Sequence, residues 1–511
     1  MSQQEMTATP EHEYQEKIDA TVDEFRGALA KHGFVDDGET LRGKVQWRFQ
    51  GKTYTATISL TIPEGFPFKP PKIKVVESGS AFSPTFHIER DGTLCLWSSN
   101  ADLSDWIDPS KIMTKVSGWF IKTAEGWPGD KDTDLERYLE GGSLFVAYDA
   151  TQLEHQSFIR ISEQNGVVKL GETLSWKPSV ERIGRKRIRR REKDLAYVFK
   201  TGQTNQPIKN LEDLGVVLGA DLSRVMNLVG LGVIKYLAVV YERNGREGVL
   251  VVELKGQGYG LPKLIAHESA DTSLQTRTLR AGSNAVRYRN KKVAIIGNGA
   301  IGSYVADLLF RSGVGKLTLT DPEKLRPGNI IRHIADNQYM GWPKPMAVKA
   351  TLAERGINIS DVHLSDDRIT SAPQAIKLFT EHDLVIDATA DLRATSILER
   401  TANELDRPLV TVWLQRQGGV ARVDRFPLWD DEHHLPVIPP GEGEDAYEYG
   451  CGSPVSKTPP NAVVRAASLA CEVALDQLNL GQKLPATTIE IIESQPDEPY
   501  NKRGIITSND N

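Results

Sequence analysis

The chain has 511 residues, of which 39% are hydrophobic and 25% charged, and its formal net charge is −6. This composition is typical of globular proteins, and the length predicts about three domains at roughly 150 residues each. The negative charge argues against a protein that mainly coats nucleic acid. No apolar run approaches the roughly 20 residues that cross a bilayer, and the polar start lacks a secretory signal pattern. We therefore expect a cytoplasmic chain without membrane contact.

The chain contains three cysteines, Cys95, Cys451 and Cys471. An odd, sparse set without C-x-x-C pairs argues against a disulfide framework and against structural zinc. Individual thiol chemistry therefore remains open for each cysteine.

The first 150 residues predict an amphipathic helix and then a short sheet. Apolar residues recur at helical spacing within 11–33, and alternation over 54–62 predicts a strand. A proline-rich stretch, FPFKPP, follows, and it forces an irregular crossing because proline donates no ladder hydrogen bond. A further strand is predicted at 73–76.

The next segment, TFHIERDGTLCLW, places Cys95 in a glycine-containing loop. Together with the helix, the meander and FPFKPP, it resembles the ubiquitin-conjugating (UBC) family, whose Gly-x-Leu/Ile-Cys-Leu motif matches 92–96. Trp106 fits the tryptophan that follows the cysteine in that family, with Pro109 displaced by one place. The resemblance implies that Cys95 carries a thioester; the alternative is a buried structural thiol.

His87 stands eight residues before Cys95, where the UBC family has an asparagine that supports the loop and stabilises the oxyanion during transfer. An imidazole N–H can also donate a hydrogen bond to developing negative charge. The sequence leaves two interpretations of His87 open, a role in transfer and loop packing.

The middle of the chain shows no catalytic constellation. We interpret 151–190 as a linker or domain edge that ends in the basic run RKRIRRR over 185–191. That run predicts a solvated segment or, alternatively, a grip on a phosphate backbone or an acidic peptide. Strand-like stretches over 196–264 surround Asn244-Gly245, a hairpin signal, and predict a connecting or docking domain.

A buried strand, 293–296, leads into a turn that contains Gly297, Gly299 and Gly302 and then into a helix. Glycines allow the tight turn and close approach of a phosphate to the backbone, and the helix N-terminus favours its negative charge. The motif alone equally suits a dehydrogenase, in which an acid such as Asp321 holds a ribose hydroxyl.

The run that begins at Asp321, DPEKLRPGNIIRHIADNQYMGWPKPMAVKA, distinguishes these alternatives. It resembles the ThiF/MoeB and ubiquitin-activating family. The resemblance implies that Asp321 binds the ribose of ATP, while Asn329, Arg332 and Lys344 contact its phosphates. Lys349 is a competing match for the lysine. Hydride transfer does not need such a set, whereas adenylation does.

The strand 384–389 resembles the family's Val-x-Asp-x-Thr, which implies that Asp387 helps to hold Mg²⁺. The carboxyl end of a strand is where α/β folds place ligands. Arg277 and Arg280 are candidates for the arginine that relatives contribute across a dimer.

Cys451 lies between two glycines in a long Gly- and Pro-rich segment, which is typical of a functional loop. In ubiquitin-activating relatives a crossover loop at this position carries the thiol that takes the acyl group from the adenylate, and we assign that role to Cys451. Four acidic neighbours would raise the pKa of its thiol: Glu442, Glu444, Asp445 and Glu448.

Three other residues predict less chemistry. His433 and His434 have no further metal ligands nearby in the sequence, so we expect solvated side chains rather than a metal site. Cys471 joins Val463, Ala467 and Leu475 on one helical face, which predicts core packing.

The domain order resembles the fused activating–conjugating enzymes of bacterial CBASS anti-phage operons. It predicts a UBC-like α+β domain over 1–155, a mixed connecting domain over 156–280, and a ThiF/MoeB-like Rossmann-type adenylation domain over 281–511. The resemblance implies a multifunctional, homodimeric transferase-ligase that uses ATP and Mg²⁺.

Relatives join the C-terminus of a cGAS/DncV-like nucleotidyltransferase to a lysine of a target protein. The implied path runs from the adenylate to Cys451, then to Cys95, and finally to an amine. Alternatives are another bacterial ubiquitin-like protein as substrate, or a scaffold that binds a ubiquitin-like tail without turnover.

Overall fold

The computed structural model describes residues 10–77, 86–98, 100–130, 132, 134–178, 193–204, 206–256, 261–356, 358–429, 432–437, 446–447, 454–455, 457–479 and 484–509. Cys451, its four acidic neighbours and the basic run 185–191 lie outside these residues. The chain divides into two compact units, 1–273 and 274–511. Within the described residues, no helix combines the length and hydropathy needed to span a bilayer.

The first unit begins with a helix and an antiparallel meander in the order β1-β2-β3-β4. These elements are α1 (Pro10–Lys31), β1 (Val35–Asp36), β2 (Leu41–Phe49), β3 (Lys52–Thr61) and β4 (Lys72–Glu77). The helix predicted within 11–33 and the strands predicted at 54–62 and 73–76 are thereby confirmed.

Two helices follow, α2 (Leu103–Trp106) and α3 (Pro109–Ala124). Helix α3 packs its apolar side on the meander, where the rings of Phe120 and Trp47 stack with centroids 4.1 Å apart. Trp106 is buried and donates a hydrogen bond of 2.7 Å to the carbonyl of Pro67. The proline-rich crossing is therefore fixed to the helical layer next to the Cys95 loop.

The rest of the first unit forms a closed barrel in the order β10-β11-β5-β7-β6-β8-β9. The strands are β5 (Glu140–Tyr148), β6 (Phe158–Gln164), β7 (Val167–Thr173), β8 (Leu195–Gln203), β9 (Ile234–Arg243), β10 (Arg246–Lys255) and β11 (Lys263–Asp271). Helices α4 (Leu211–Leu218) and α5 (Leu222–Gly230) connect β8 to β9.

Two features of the barrel relate directly to the sequence. The predicted hairpin at Asn244-Gly245 is confirmed, and both residues have positive φ, 48° and 76°. The segment 151–190, interpreted as a linker or domain edge, instead contributes β6 and β7, whose outward positions carry the polar residues that obscured them. Strand β5 pairs with β7 and β11, so the barrel starts within 1–155.

The second unit contains an eight-stranded sheet in the order β14-β13-β12-β15-β16-β17-β20-β21. Its strands are β12 (Lys292–Ile296), β13 (Lys316–Thr320), β14 (Val362–Ser365), β15 (Leu384–Asp387), β16 (Leu409–Gln415), β17 (Val420–Phe426), β20 (Thr487–Ile491) and β21 (Gly504–Thr507). The strands from β14 to β16 are parallel and the others antiparallel. A separate two-stranded pair joins β18 (Ala446–Tyr447) to β19 (Pro454–Val455).

Helices connect the strands of this unit. They are α6 (Leu274–Thr278), α7 (Ala285–Tyr288), α8 (Ala300–Arg311), α9 (Pro327–Ile330), α10 (Lys344–Glu354), α11 (Ala372–Glu381), α12 (Leu392–Leu405) and α13 (Pro460–Asn479).

The central strand β12 is apolar from Val293 to Ile296, because both faces of the sheet are covered there. Val293 and Ile295 belong to one apolar cluster, and Ala294 and Ile296 to another. Strand β12 pairs with β13 on one side and with β15 on the other. The order of the strands therefore reverses at β12. Such a switch point opens a ligand crevice at the carboxyl ends of parallel strands. The Rossmann-type α/β architecture predicted for this unit is confirmed.

Candidate functional site

A cavity of about 420 Å³ opens at the carboxyl ends of β12, β13 and β15. Four residues predicted to bind ATP line it, namely Gly297, Gly299, Asp321 and Lys344. The far wall comes from 367–369 and 388–391, which follow β14 and β15. The crevice that the topology opens therefore brings together four of the residues predicted to bind ATP.

Each of the three positions in the turn has glycine for a different physical reason. Gly297 has φ +85°, and a Cβ there would meet the carbonyl oxygen of Ala388 at 2.7 Å. A Cβ on Gly302 would meet the Gly297 carbonyl oxygen at 1.8 Å, so α8 packs directly on the turn. A Cβ on Gly299 would meet no protein atom within 4 Å. Gly299 therefore leaves the cavity open at the start of α8, where no side chain caps the helix.

Asp321 is buried directly after β13. Its two carboxylate oxygens accept hydrogen bonds of 2.8 Å from the backbone N–H groups of Asn298 and Glu323. Each oxygen keeps a lone pair for a further donor. The carboxylate thus orients the glycine turn and can still accept a hydroxyl, as the ribose role requires.

The two lysines that compete for the phosphate role occupy different surroundings. Lys344, at the start of α10, is buried in the cavity with its Nζ 2.6 Å from Glu323 Oε2 and 3.8 Å from Asp321 Oδ2. The ammonium of Lys349 instead donates a hydrogen bond of 2.6 Å to the carbonyl of Val362. The geometry therefore places Lys344 at the cavity and Lys349 at the sheet edge.

Asn329 and Arg332 are not part of the cavity lining among the described residues. The Asn329 side chain accepts a hydrogen bond of 3.0 Å from the backbone N–H of Arg326. Arg332 donates one of 3.3 Å to the carbonyl of Thr458, and burial lowers the pKa of its guanidinium. The structure thus does not bring these two candidates to the same cavity as Lys344.

Asp387 ends β15 beneath the cavity and is buried. Its oxygens accept hydrogen bonds from the hydroxyls of Thr389, at 2.7 Å, and Thr395, at 2.5 Å, and burial raises the pKa of the carboxyl group. Mg²⁺ is commonly held by one or two carboxylates together with substrate phosphates. One buried carboxylate at this strand end fits that requirement, although no group of three or more His, Cys, Asp or Glu side chains in the described residues could hold a metal alone.

His333 was missed by the sequence argument, and it holds the glycine turn from below. Its Nδ1 accepts a hydrogen bond of 3.0 Å from Ala335 N–H, so the ring proton lies on Nε2, which donates to Asn298 O at 2.8 Å. Burial lowers the pKa of the imidazole to about 4. A neutral histidine therefore fixes the backbone next to Asp321.

Three other candidates of this unit, Arg277, His434 and Cys471, have structural surroundings that are described. Arg277 donates a hydrogen bond of 3.0 Å to the carbonyl of Arg355. The expectation of a solvated side chain is wrong for His434, because its Nδ1 lies 3.1 Å from Thr487 Oγ1 and 3.5 Å from Asp424. Cys471 is buried on α13, as predicted, and burial raises its thiol pKa to about 12.

In the first unit, Cys95 lies partly buried between two charged side chains. Its thiol donates a hydrogen bond of 3.0 Å to Glu89 Oε1, and Arg137 Nη1 lies 3.9 Å from the sulfur. Burial, together with Glu89, raises the thiol pKa to about 12. Glu89 stood within the quoted loop without being singled out. Arg137 could not be found locally, since it lies on a 3₁₀ turn 42 residues further along the chain.

His87 supports the loop through its backbone and its ring. Its carbonyl accepts hydrogen bonds of 2.9 Å from Cys95 N–H and Trp119 Nε1. Its φ is +56°, and its Nε2 lies 2.6 Å from Asp130 Oδ2, which also pairs with Arg243 at 2.5 Å. These contacts match the loop-packing interpretation of His87.

Comparisons with known proteins agree with this geometry. Residues 274–426 match the ThiF family. The chain is 24% identical to the ATP-dependent ubiquitin transferase-like protein Cap2 of Pseudomonas aeruginosa, over 83% of this chain and 86% of that one. It is also 31% identical to ubiquitin-like modifier-activating enzyme 5 of Drosophila sechellia, over 23% of this chain and 32% of that one.

Among solved structures, Escherichia coli MccB aligns with 44% of this chain and 68% of its own at 17% identity, with a TM-score of 0.36. That score is too low to transfer any site. Residues 274–426 are similar to the ThiF family, and most of the chain is similar to Cap2. The predicted resemblance is confirmed for the activating part, and the UBC-like assignment of 1–155 stays a prediction.

Proposed function

We propose that this chain is an ATP-dependent enzyme that adenylates the C-terminal carboxylate of a protein and passes the acyl group through two cysteines to an amine. The observation that carries the proposal is the cavity of the ThiF-type domain, where the glycine turn, Asp321 and Lys344 meet at the N-terminus of α8. The backbone N–H groups at the start of α8 and the Lys344 ammonium can both donate hydrogen bonds to a triphosphate bound there.

In the first step, the substrate carboxylate attacks the α-phosphorus of ATP. The bond to the bridging oxygen breaks, and pyrophosphate leaves with that oxygen. Lys344 neutralises phosphate charge, while Asp321 accepts a ribose hydroxyl and the uncapped N–H groups of α8 face the phosphates. Mg²⁺, held by Asp387 and the phosphates, would supply further charge neutralisation.

In the following steps, the thiol of Cys451 takes the acyl group from the adenylate with release of AMP, and Cys95 takes it from Cys451. An amine then attacks the Cys95 thioester and releases the sulfur. The helix, meander and cysteine loop of the first domain occur in the order expected of a UBC-like domain, which supports this path. Similarity to Cap2 extends beyond the ThiF region.

The substrate we propose is a cGAS/DncV-like nucleotidyltransferase whose C-terminus is joined to target lysines in anti-phage defence. The Cap2 relatives are named ATP-dependent ubiquitin transferase-like proteins, which supports transfer of a protein C-terminus. The choice of a nucleotidyltransferase rests on the domain order of the chain. The alternative substrate is another bacterial ubiquitin-like protein. Both substrates end in the same carboxylate chemistry, so the exchange assay below is run with each.

ATP–pyrophosphate exchange by the full chain tests adenylation. We expect label exchange that depends on the partner's C-terminal residue and disappears when that residue is removed. Binding of the tail without exchange would show a scaffold rather than an enzyme.

Trapping of thioesters tests the order of transfer. Cys95→Ala should accumulate a thioester on Cys451 that reducing agent removes, whereas Cys451→Ala should abolish both thioesters formed from ATP. Charging of Cys95 from ATP in the Cys451→Ala protein would contradict the relay.

A further inference from the structure

The Cys95 thiol lies between a hydrogen-bond acceptor and a cation. Glu89 Oε1 accepts the thiol hydrogen at 3.0 Å, and Arg137 Nη1 lies 3.9 Å from the sulfur. Glu89 belongs to the cysteine loop and Arg137 to the 3₁₀ turn before β5, so two separate elements bring opposite charges to one sulfur.

The resting sulfur is a thiol rather than a thiolate at neutral pH, because burial and the neighbouring Glu89 raise its pKa to about 12. The nucleophile in thioester exchange is the thiolate. A proton must therefore leave the sulfur as it attacks, and the Glu89 carboxylate is already in hydrogen-bonding contact with that proton.

Arg137 is held by carboxylates on its other side. Its Nη2 lies 3.2 Å from Asp132 Oδ2 and 3.1 Å from Asp134 Oδ2, which leaves Nη1 directed at the sulfur. The carbonyl oxygen of an acyl group bonded to Sγ lies one bond beyond the carbon that joins it to the sulfur, within reach of the same guanidinium. His87, by contrast, directs Nε2 at Asp130.

We infer that Glu89 and Arg137 are catalytic residues for acyl transfer at Cys95, Glu89 as the general base for the thiol and Arg137 as the group that stabilises the oxyanion. This inference rests on the proposed role of Cys95 as a thioester carrier. As the S–C bond forms, the thiol proton passes to Glu89 and the acyl oxygen becomes an oxyanion beside Arg137. Collapse of that intermediate breaks the bond to the donor sulfur, which leaves as a thiolate and takes a proton from Glu89 or water.

Two reactions on the full chain with Cys451→Ala separate these roles. Alkylation by iodoacetamide reports the fraction of Cys95 that is thiolate. Acylation by a glycine-terminated peptide thioester with a mercaptoethanesulfonate leaving group reports the transfer itself, independently of ATP. Peptide mapping by mass spectrometry assigns each product to Cys95, and thermal melting checks that every variant is folded.

Glu89→Gln removes both the negative charge and the base. We expect iodoacetamide to react about tenfold faster at pH 8, because loss of the adjacent charge lowers the thiol pKa by roughly one unit. Acylation should instead become about 100-fold slower, because proton removal is no longer assisted. Loss of loop structure would move both rates in the same direction, so opposite changes identify the base.

Arg137→Gln should slow both reactions, acylation by about 100-fold, since the cation stabilises the thiolate and the oxyanion alike. Arg137→Lys should restore alkylation more than acylation, because a lysine keeps the charge but loses the planar donor geometry.

Matched controls use neighbouring charges that do not touch the sulfur. Asp91→Asn removes an exposed carboxylate of the same loop that faces Lys72 and Lys74, and Arg90→Gln removes an exposed guanidinium near Glu140. Both controls should react like the parent. Tyr138 also interacts electrostatically with Cys95. Tyr138→Phe is therefore included as a further variant, and it should leave the direction of the Glu89 effect unchanged.

The outcomes distinguish the inference from the function on which it rests. If the parent acylates Cys95 and Glu89→Gln acylates it equally fast, Glu89 is not the base and the inference is wrong. The proposed carrier role itself fails if the Cys451→Ala parent does not acylate Cys95 from the thioester and the unsubstituted chain, given ATP and substrate, forms no thioester on Cys95.

Discussion

The nucleotide cavity and the Cys95 pocket both place opposite charges beside reacting atoms, but they fix those charges differently. The side chains of Lys344 and Asp321 are 8% and 7% exposed, and they are held at the start of α10 and directly after β13. Arg137 is 26% exposed and comes from a turn outside the Cys95 loop. Buried charges on a rigid sheet suit one constant, highly charged substrate, whereas charges at a partly open rim leave room for successive protein-bound donors and acceptors.

The largest expected effect follows from replacing the buried cation of the cavity. Lys344→Met should lower ATP–pyrophosphate exchange by about 1000-fold, because it removes a preorganised charge from a site shielded from water. Lys349→Met is the matched control and should leave exchange near the parent rate, since its ammonium is bound to the Val362 carbonyl. A reversal of the two results would assign the phosphate contact to Lys349 instead of Lys344.

A smaller effect on stability should come from His333, whose folded pKa of about 4 lies below the ordinary 6.5. Above pH 6.5 both folded and unfolded imidazoles are neutral. As pH falls from 6.5 to 4, only the unfolded chain takes up the proton. Protonation of this residue therefore lowers the free energy of unfolding by about 3 kcal/mol. Stability contributed by the neutral ring is therefore present at pH 7 and lost on acidification.

Denaturant titrations at pH 7 and pH 4 measure this dependence. His333→Gln keeps a donor to the Asn298 carbonyl but cannot titrate. Between pH 7 and pH 4 the free energy of unfolding should therefore fall less for the variant than for the parent. His363→Gln, an exposed histidine on β14, is the control and should follow the parent. Parallel curves for parent and His333→Gln would contradict the lowered pKa.

The smallest expected effects separate two glycines of the same turn. Gly302→Ala should destabilise the unit by about 2 kcal/mol, because its Cβ would lie 1.8 Å from the Gly297 carbonyl oxygen. Gly299→Ala should leave the melting temperature unchanged and weaken ATP binding roughly tenfold, since its methyl group would project into the cavity. Calorimetry and ATP titration measure the two changes, and a stability loss in Gly299→Ala would remove the distinction.

Periodicity predicted the elements whose two faces differ clearly or are both buried. The apolar run of β12, the alternation of β3 and the spacing of α1 are such cases. Strands β6 and β7 were not recognised, because short strands of a barrel with polar outer faces resemble a mixed linker. Local pattern cannot identify pairings that only the closed barrel creates.

The residues of the candidate sites also divide into those that local sequence could predict and those that it could not. Residues of the glycine turn and Asp321 could be predicted because one short strand–turn–helix unit carries them. Arg137 and His333 could not, since each reaches its partner across the fold rather than along the chain. Lys344 and Lys349, five positions apart on α10, could be distinguished only when the helix direction was known.

The contact of Lys349 has a consequence for how the protein behaves in concentrated solution. Strand β14 forms one end of the sheet, and the carbonyls of Asp361 and Ser365 face β13, so that of Val362 faces outward. An open edge carbonyl is a template for pairing with another extended chain, and lysine commonly blocks such edges. Lys349 occupies this acceptor, so the Val362 carbonyl is not available to pair with another extended chain.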